Sequence, residues 1–249
     1  MDDLELLLDL HLGSVRQGPG GDQETALAIR LAGLEGGKGL KIADIGCGNG
    51  ASSLMLARTL DAHVTAVDFL APFLAELEAA SAEAGLSDRI TTQEASMDAL
   101  PFEDEQFDVI WAEGAIYNMG FRVGVEAWRR FLKPGGVLAV SELTWLTAER
   151  PGELQAHWDG EYPEVDVASA KIEVLEQAGY GPIGYFTLPE RCWLENYYRP
   201  MQARFNAFLE RHGHRDTAKA IVDAEQREIE LYERFKAFVS YGFYIARKV

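Results

Sequence analysis

Cysteine is scarce in this chain. Only Cys47 and Cys192 carry a thiol among 249 residues, and no Cys-x-x-Cys pair occurs. A disulfide framework and a zinc site are therefore unsupported, and a reducing, cytoplasmic setting is the expectation. Long apolar runs are also missing. The longest stretches free of Asp, Glu, Lys and Arg are 13 residues, at 45–57 and 177–189. A membrane-spanning helix needs roughly 18 apolar residues, so no span is expected. The start, Met1-Asp2-Asp3, has no basic segment leading into an apolar one, and secretion is not expected. Basic side chains are few as well: 23 Lys and Arg against 40 Asp and Glu, a formal charge of −17. That field repels phosphate backbones and anionic lipid, which argues against nucleic acid and membrane surfaces as partners.

What is present fits a folded globular domain. Hydrophobic residues make up 47% of the chain and charged residues 25%, ordinary values that exclude disorder and collagen-like repeats. A chain this long buries about three-quarters of its unfolded surface and needs no staple. Charge is uneven along it. Residues 190–249 hold 11 basic and 9 acidic side chains, whereas the first 189 hold 12 and 31. The last 60 residues are thus compositionally distinct.

Periodicity divides the chain. Residues 2–12 alternate acids and leucines as a short amphipathic helix does. Gly18-Pro19-Gly20-Gly21 cannot be helix interior, and Asp22 is placed to cap a helix over 23–34. From residue 40, short apolar runs alternate with helix-length segments. Strands are expected at 40–46, 63–69, 89–94, 107–112, 136–143 and 183–188. Helices are expected at 51–60, 71–84, 122–132 and 167–178. Strands separated by helical segments imply crossover units and a parallel sheet. In the tail, apolar residues recur at three and four from Leu194 to Leu209 and again from Ile221 to Val239. Two helices joined near Gly213 are expected, followed by a final strand at 240–249.

The sharpest motif is Ala-Asp-Ile-Gly-Cys-Gly-Asn-Gly at 43–50. A strand runs into three glycines and then a helix. Glycine allows positive φ and close approach of a ligand, and the helix start offers unpaired N–H groups. Gly46, Gly48 and Ala51 also satisfy a dinucleotide pattern, with Asp68 at the end of the next strand to hold ribose hydroxyls in either case. Asp44 discriminates between the cofactors. An anion just before the loop disfavours a pyrophosphate and suits a cationic ligand, and S-adenosylmethionine carries a sulfonium and an ammonium. Unit charges at 4 Å attract by about 4 kcal/mol at an effective dielectric of 20.

Four ordered blocks then carry a resemblance. They are ADIGCGNG, VTAVDF at 64–69, SMDALPFEDEQFDVIWAEGAIYN at 96–118 and FLKPGGVLAVSE at 131–142. Together they resemble class I S-adenosylmethionine-dependent methyltransferases of the ubiquinone/menaquinone-biosynthesis-like (UbiE-like) group. The resemblance implies an α/β, Rossmann-like, seven-stranded and mostly parallel sheet with an antiparallel last strand, helices on both faces, and a helical insertion before that strand. It divides the chain into a helical cap or lid (1–36), the cofactor-binding core (37–189), the insertion (190–239) and the final strand (240–249). Gly46, Gly48 and Gly50 would face the methionine part of the cofactor. Asp68 would bind the ribose, Phe69 would flank adenine, and Met97 would offer backbone N–H to it. Many relatives carry an acid where Ser96 stands, and here it is displaced to Asp98. Glu113 would lie beside the methionine amine or the transfer site, and Arg16 to Gly21 would cover the site.

Methyl transfer from a sulfonium is an in-line displacement in which alignment dominates, so no triad is required. Loops after strand ends supply acceptor-site candidates: Glu113, Tyr117 and Asn118 after the fourth strand, and Glu142, Trp145, His157-Trp158 and Tyr162 after the fifth. His157 is the neutral-range base by type, and Tyr117 is the candidate to orient an acceptor. Tail aromatics Trp193, Tyr197, Tyr198 and Phe205 either wall an acceptor pocket, pack as core or form a homodimer face. The Asn/Asp-Pro-Pro-aromatic motif of amino-directed DNA methyltransferases is replaced by Glu113-Gly114-Ala115-Ile116-Tyr117, which favours a small-molecule acceptor. Two alternatives stand beside this reading. One is an NAD(P)-dependent oxidoreductase on a similar sheet, and the other is a non-catalytic cofactor-binding or interaction protein.

Overall fold

The structure is a computed structural model that describes residues 3–249. Met1 and Asp2, where the expected cap begins, lie outside them. In chain order the elements are α1 (Asp3–His11), α2 (Asp22–Leu31), β1 (Leu40–Ile45), α3 (Ala51–Thr59), β2 (Ala62–Asp68), α4 (Ala71–Glu83), β3 (Ile90–Glu94) and β4 (Phe107–Ala112). There follow α5 (Phe121–Trp128), β5 (Leu132–Trp145), α6 (Gly152–Glu161), β6 (Asp166–Val167), α7 (Ala168–Gln177) and β7 (Tyr180–Thr187). The tail holds α8 (Glu190–Trp193), α9 (Arg199–Gln202), α10 (Phe205–Arg211), α11 (Asp216–Phe235) and β8 (Val239–Lys248).

The sheet order is β3-β2-β1-β4-β5-β8-β7, with β6 beside β5. Strands β1 to β5 pair in parallel. β8 runs antiparallel to both β5 and β7, from Val137 opposite Arg247 to Trp145 opposite Val239. The expected Rossmann-like sheet with an antiparallel last strand is therefore present. Its eighth strand is the two-residue β6, too short to leave a periodic signal.

Period-two alternation explains the layers. Ile42, Val109 and Phe243 point into one apolar cluster with α1 to α4 and the tail helices. Their neighbours Ala43, Ile110 and Tyr244 point into the other, with α5 and α7. Central strands buried on both faces read as continuous apolar runs for this reason. The type II turn at Lys133-Pro134-Gly135-Gly136, with Gly135 at φ 73°, brings the chain into the long inner part of β5.

The structure departs from the expected elements in three places. The N-cap of α2 is Gly21, and Asp22 is the first helical residue, drawn instead to Arg16. The first of the two expected tail helices is broken into α8, a π-turn at Leu194–Tyr198, α9 and α10. Pro200 supplies the cause, since it has no N–H for the carbonyl one turn back and its ring crowds that turn. Residues 146–166, left without an element by periodicity, contain α6 after Pro151. Among the described residues, no helix is long and apolar enough to cross a membrane.

Phe243 on β8 is 1% exposed. Its ring stacks on Phe186 at 5.2 Å and meets Trp111 edge-on at 5.5 Å. Phe243→Ala is expected to cost about 3–5 kcal/mol in urea unfolding. A loss under about 1 kcal/mol would contradict a structural role for the antiparallel strand.

Candidate active site

Backbone geometry makes the glycine loop a cradle. The N–H groups of Gly46 and Cys47 both donate to the Val67 carbonyl, at 2.8 and 2.9 Å, which turns the chain over the end of β2. Gly46 and Gly48 have φ of 70° and 53°, and neither has room for a side chain. A Cβ on Gly46 would lie 2.4 Å from the Ala115 Cβ, and one on Gly48 would lie 2.5 Å from Gln17 Oε1. Gly50 also has positive φ, but a Cβ there would strike Leu77 of α4 at 2.2 Å. Its role is the turn into α3 and helix packing, and it does not face the cavity.

Carboxylates surround the loop. Asp68 Oδ2 accepts from the Gly48 N–H and Oδ1 from the Leu70 N–H, each at 2.9 Å. Burial raises its pKa against these bonds. Glu113, just beyond β4, accepts from Thr25 Oγ1 at 2.7 Å, Trp111 Nε1 at 3.0 Å and Arg16 Nη1 at 3.1 Å. Arg16 is itself buried and also reaches Asp22. Burial lowers its pKa, but Glu113 and Asp22 more than offset this and the net shift is upward.

The segment between α1 and α2 lies over the loop as a strap. Gln17 Oε1 accepts from the Asn49 N–H at 3.1 Å, and Asn49 Nδ2 donates to the Ser14 carbonyl. Arg204 holds the Leu12 carbonyl and Ser14 Oγ, and Asn196 donates to the Gly20 carbonyl at 2.7 Å. Between strap and loop is a cavity of about 370 Å³, lined by Gly46, Gly48, Asp68, Phe69, Met97, Glu113 and Tyr117, with Arg16 and Gln17 from the strap. Phe69 is 54% exposed, an aromatic face open to a ligand. A second cavity of about 340 Å³ shares His11, Gln17, Gly114 and Tyr117 with the first. Its other walls include Trp158, Tyr162, Trp193 and Tyr197.

The sequence-predicted residues thus separate. Ser96 and Asp98 are exposed and outside the cavity, while Ala95 and Met97 line it; the chain alternates inward and outward there, and the displaced acid falls on the outward side. Asp44 lies behind the loop, fully buried. Its Oδ2 accepts from Ser52 and Ser53 at 2.7 and 2.6 Å, and Oδ1 has no partner. It anchors the start of α3 and makes no wall of the cavity. His157 lines neither cavity. Its ring meets Trp158 edge-on, and its Nε2 is buried without a partner. Glu142 and Trp145 also stay outside, with Glu142 paired to buried Lys171 at 3.2 Å.

Sequence reasoning missed Thr25, His11 and the pair Glu225 and Glu228, which line the second cavity from α11. The spacing of 225 and 228 on one helix face was the available signal. His11 is pushed down to about 4 by burial and by Arg204, and stands neutral.

Comparison with known proteins places this geometry in a family. The family described as a methyltransferase domain matches residues 42–136. A 27-O-demethylrifamycin SV methyltransferase of Amycolatopsis mediterranei is 30% identical over 220 residues, covering 86% of this chain and 78% of that protein. A structure of an S-adenosylmethionine-dependent methyltransferase from Geobacter sulfurreducens, in complex with S-adenosyl-L-homocysteine, superposes with a TM-score of 0.86 at 17% identity and covers 98% of each chain. One from Thiobacillus denitrificans, also with S-adenosyl-L-homocysteine, gives 0.85 at 15% identity over 100% and 99%. The chain belongs to the S-adenosylmethionine-dependent methyltransferases, class I in fold. The dinucleotide alternative for the glycine loop falls with that membership.

Burial raises the pKa of Asp44 from 3.8 to about 7, against the two serine bonds. The folded state therefore holds a proton that the unfolded state has lost between about pH 4 and 7. The associated stability is fully present below the unfolded pKa and is lost as pH rises through the folded one. Asp44→Asn keeps an acceptor for both serines and removes the titration. Across pH 4 to 8, wild-type stability is expected to fall relative to the variant, by about 4 kcal/mol at most. Parallel urea-stability curves would contradict this.

Proposed function

We propose that the chain transfers a methyl group from S-adenosylmethionine to a small molecule seated in the second cavity. The observation that carries this reading is the pair of adjoining cavities, about 370 and 340 Å³, which share Gly114, Tyr117, His11 and the strap. Both volumes fall within the range of small-ligand sites. The four sequence blocks further support assignment to the UbiE-like group. Cys47 and Cys192, both free and buried, support a cytoplasmic setting. A charge of −17 opposes polyanionic substrates.

The residues fit the cofactor on this structure's own terms. Gly46 and Gly48 line the cavity with bare backbone, and buried Gln17 Nε2 above it has no partner. In this reading Gly46 and Gly48 take the methionine part, Asp68 the ribose hydroxyls, and Phe69 and Met97 flank adenine. Glu113 takes the ammonium and Arg16 the carboxylate, so their ion pair matches a zwitterion charge for charge. When bound, the cofactor supplies an electrophilic methyl group and its own leaving group.

The protein's part is alignment and exclusion of water. The strap closes the first cavity over the loop. Tyr117 stands at the junction of the two cavities, with its ring edge-on to Tyr162 at 5.9 Å, and orients the acceptor. Glu113 is occupied by three donors and serves as a holder, not a base. His157 lines neither cavity and takes no part in this reading.

Arg16→Ala is expected to weaken S-adenosylhomocysteine binding at least tenfold by calorimetry, and unchanged affinity would remove the carboxylate assignment. Labelled S-adenosylmethionine incubated with the protein and a whole-cell extract tests the acceptor class. Label is expected in the fraction passing a filter that retains macromolecules. Label held in retained protein or nucleic acid would overturn the small-molecule reading.

A further inference from the structure

The second cavity has an unbalanced charge. Glu161, Glu225 and Glu228 line it, and among the described residues no lysine or arginine does. Its one histidine, His11, is held neutral by burial. The walls are otherwise aromatic, with Tyr117, Tyr162, Trp158, Tyr197, Trp193 and Tyr241 contributing. Three acidic side chains among aromatic rings, with no lysine or arginine in the wall, give the cavity an acidic lining.

The surroundings sharpen this. Glu225 and Glu228 sit three residues apart on α11, on one face of the helix. Tyr198 donates to Glu228 Oε1 at 2.9 Å, and Glu161 and His157 of α6 both bear electrostatically on Glu228. Among the described residues Glu225 has no hydrogen-bond or ion-pair partner, and its pKa is pushed up to about 7, first by burial and then by Glu228. Burial likewise raises the pKa of Glu228. With a neutral occupant the two carboxyls offset burial and repulsion by holding protons, as their raised pKa values indicate. A cation would favour their ionised forms and would also meet ring faces, which attract cations. A metal ion is a poor match, because no group of three or more His, Cys, Asp or Glu among the described residues is arranged to hold one.

We propose that the methyl acceptor is a small organic cation, carrying an amine or quaternary ammonium group that seats against Glu225 and Glu228 within the aromatic walls. The inference rests on the reading of this cavity as the acceptor site. It assigns what the acceptor must carry for recognition and leaves the methylated atom open. The protein's overall negative charge favours the approach of such a molecule.

The test uses the full chain saturated with S-adenosylhomocysteine and two probes of the same shape. Choline carries a quaternary nitrogen where 3,3-dimethylbutan-1-ol carries carbon. Calorimetry is expected to show choline binding at least tenfold more tightly than the alcohol. Glu225→Gln and Glu228→Gln are each expected to remove most of that preference while leaving S-adenosylhomocysteine affinity unchanged, which also reports a folded site. Equal binding of the two probes, no binding of either, or a preference that survives both substitutions would overturn the proposal. The comparison in the unaltered protein stands even if a variant fails to fold. Absent discrimination, with methyl label still reaching small molecules, would overturn this inference alone. Label reaching macromolecules would overturn the acceptor reading beneath it.

Discussion

A buried ion pair between the strap and the end of β4 organises the site. Arg16 and Glu113 are each about nine-tenths buried and 3.1 Å apart. Such pairs contribute little net stability, because desolvating two charges costs about as much as their attraction returns. Leaving either partner alone would be far more costly, so the pair commits the strap to its position over the glycine loop. Thr25 and Trp111 complete the bonding of Glu113, tying α2 and β4 to the same point. A ligand with its own carboxylate and ammonium can exchange with this pair without leaving a bare charge.

Two consequences reach outward from that point. The strap is also held on both sides of Arg16, by contacts to the glycine loop through Gln17 and Asn49 and to the tail through Arg204 and Asn196. The helical insertion, with basic and acidic side chains in balance, therefore supplies both latches for the strap and walls for the second cavity. The fold separates labour: the parallel half presents Gly46, Asp68 and Glu113 at strand ends, and the tail shapes the volume beside them. This matches the rule that open α/β sheets bind ligands beyond the carboxyl ends of their strands.

Most of the sheet was legible in the sequence because its signals are local. A buried parallel strand shows itself as a short apolar run, and the loop at 46–50 by glycines that have no steric substitute. Phe69, Met97 and Glu113 came to the cavity as expected, since each follows a strand end directly. Ser96 and Asp98 did not, because one residue of register in an extended segment reverses the facing side. Asp44 carries the charge expected of a ligand-facing anion, yet strand alternation and the serines at 52 and 53 draw it beneath the loop. His157, chosen by residue type, lies beyond the cavity wall, whereas His11 arrives there from α1 through contacts distant in sequence. Glu225 and Glu228 were hidden for the same reason. Their helix pattern announces a face but not what the face meets, and the break at Pro200 determines how the insertion folds around it.

The functional site depends on a ligand lying between the glycine loop and the strap. A crystal structure of the chain grown with saturating S-adenosylhomocysteine tests this directly. Density is expected between Gly46, Gly48, Asp68 and Phe69 on one side and Arg16 and Gln17 on the other, with its amino-acid end toward Glu113. Density elsewhere on the sheet, or an empty cavity with the strap still latched, would contradict it.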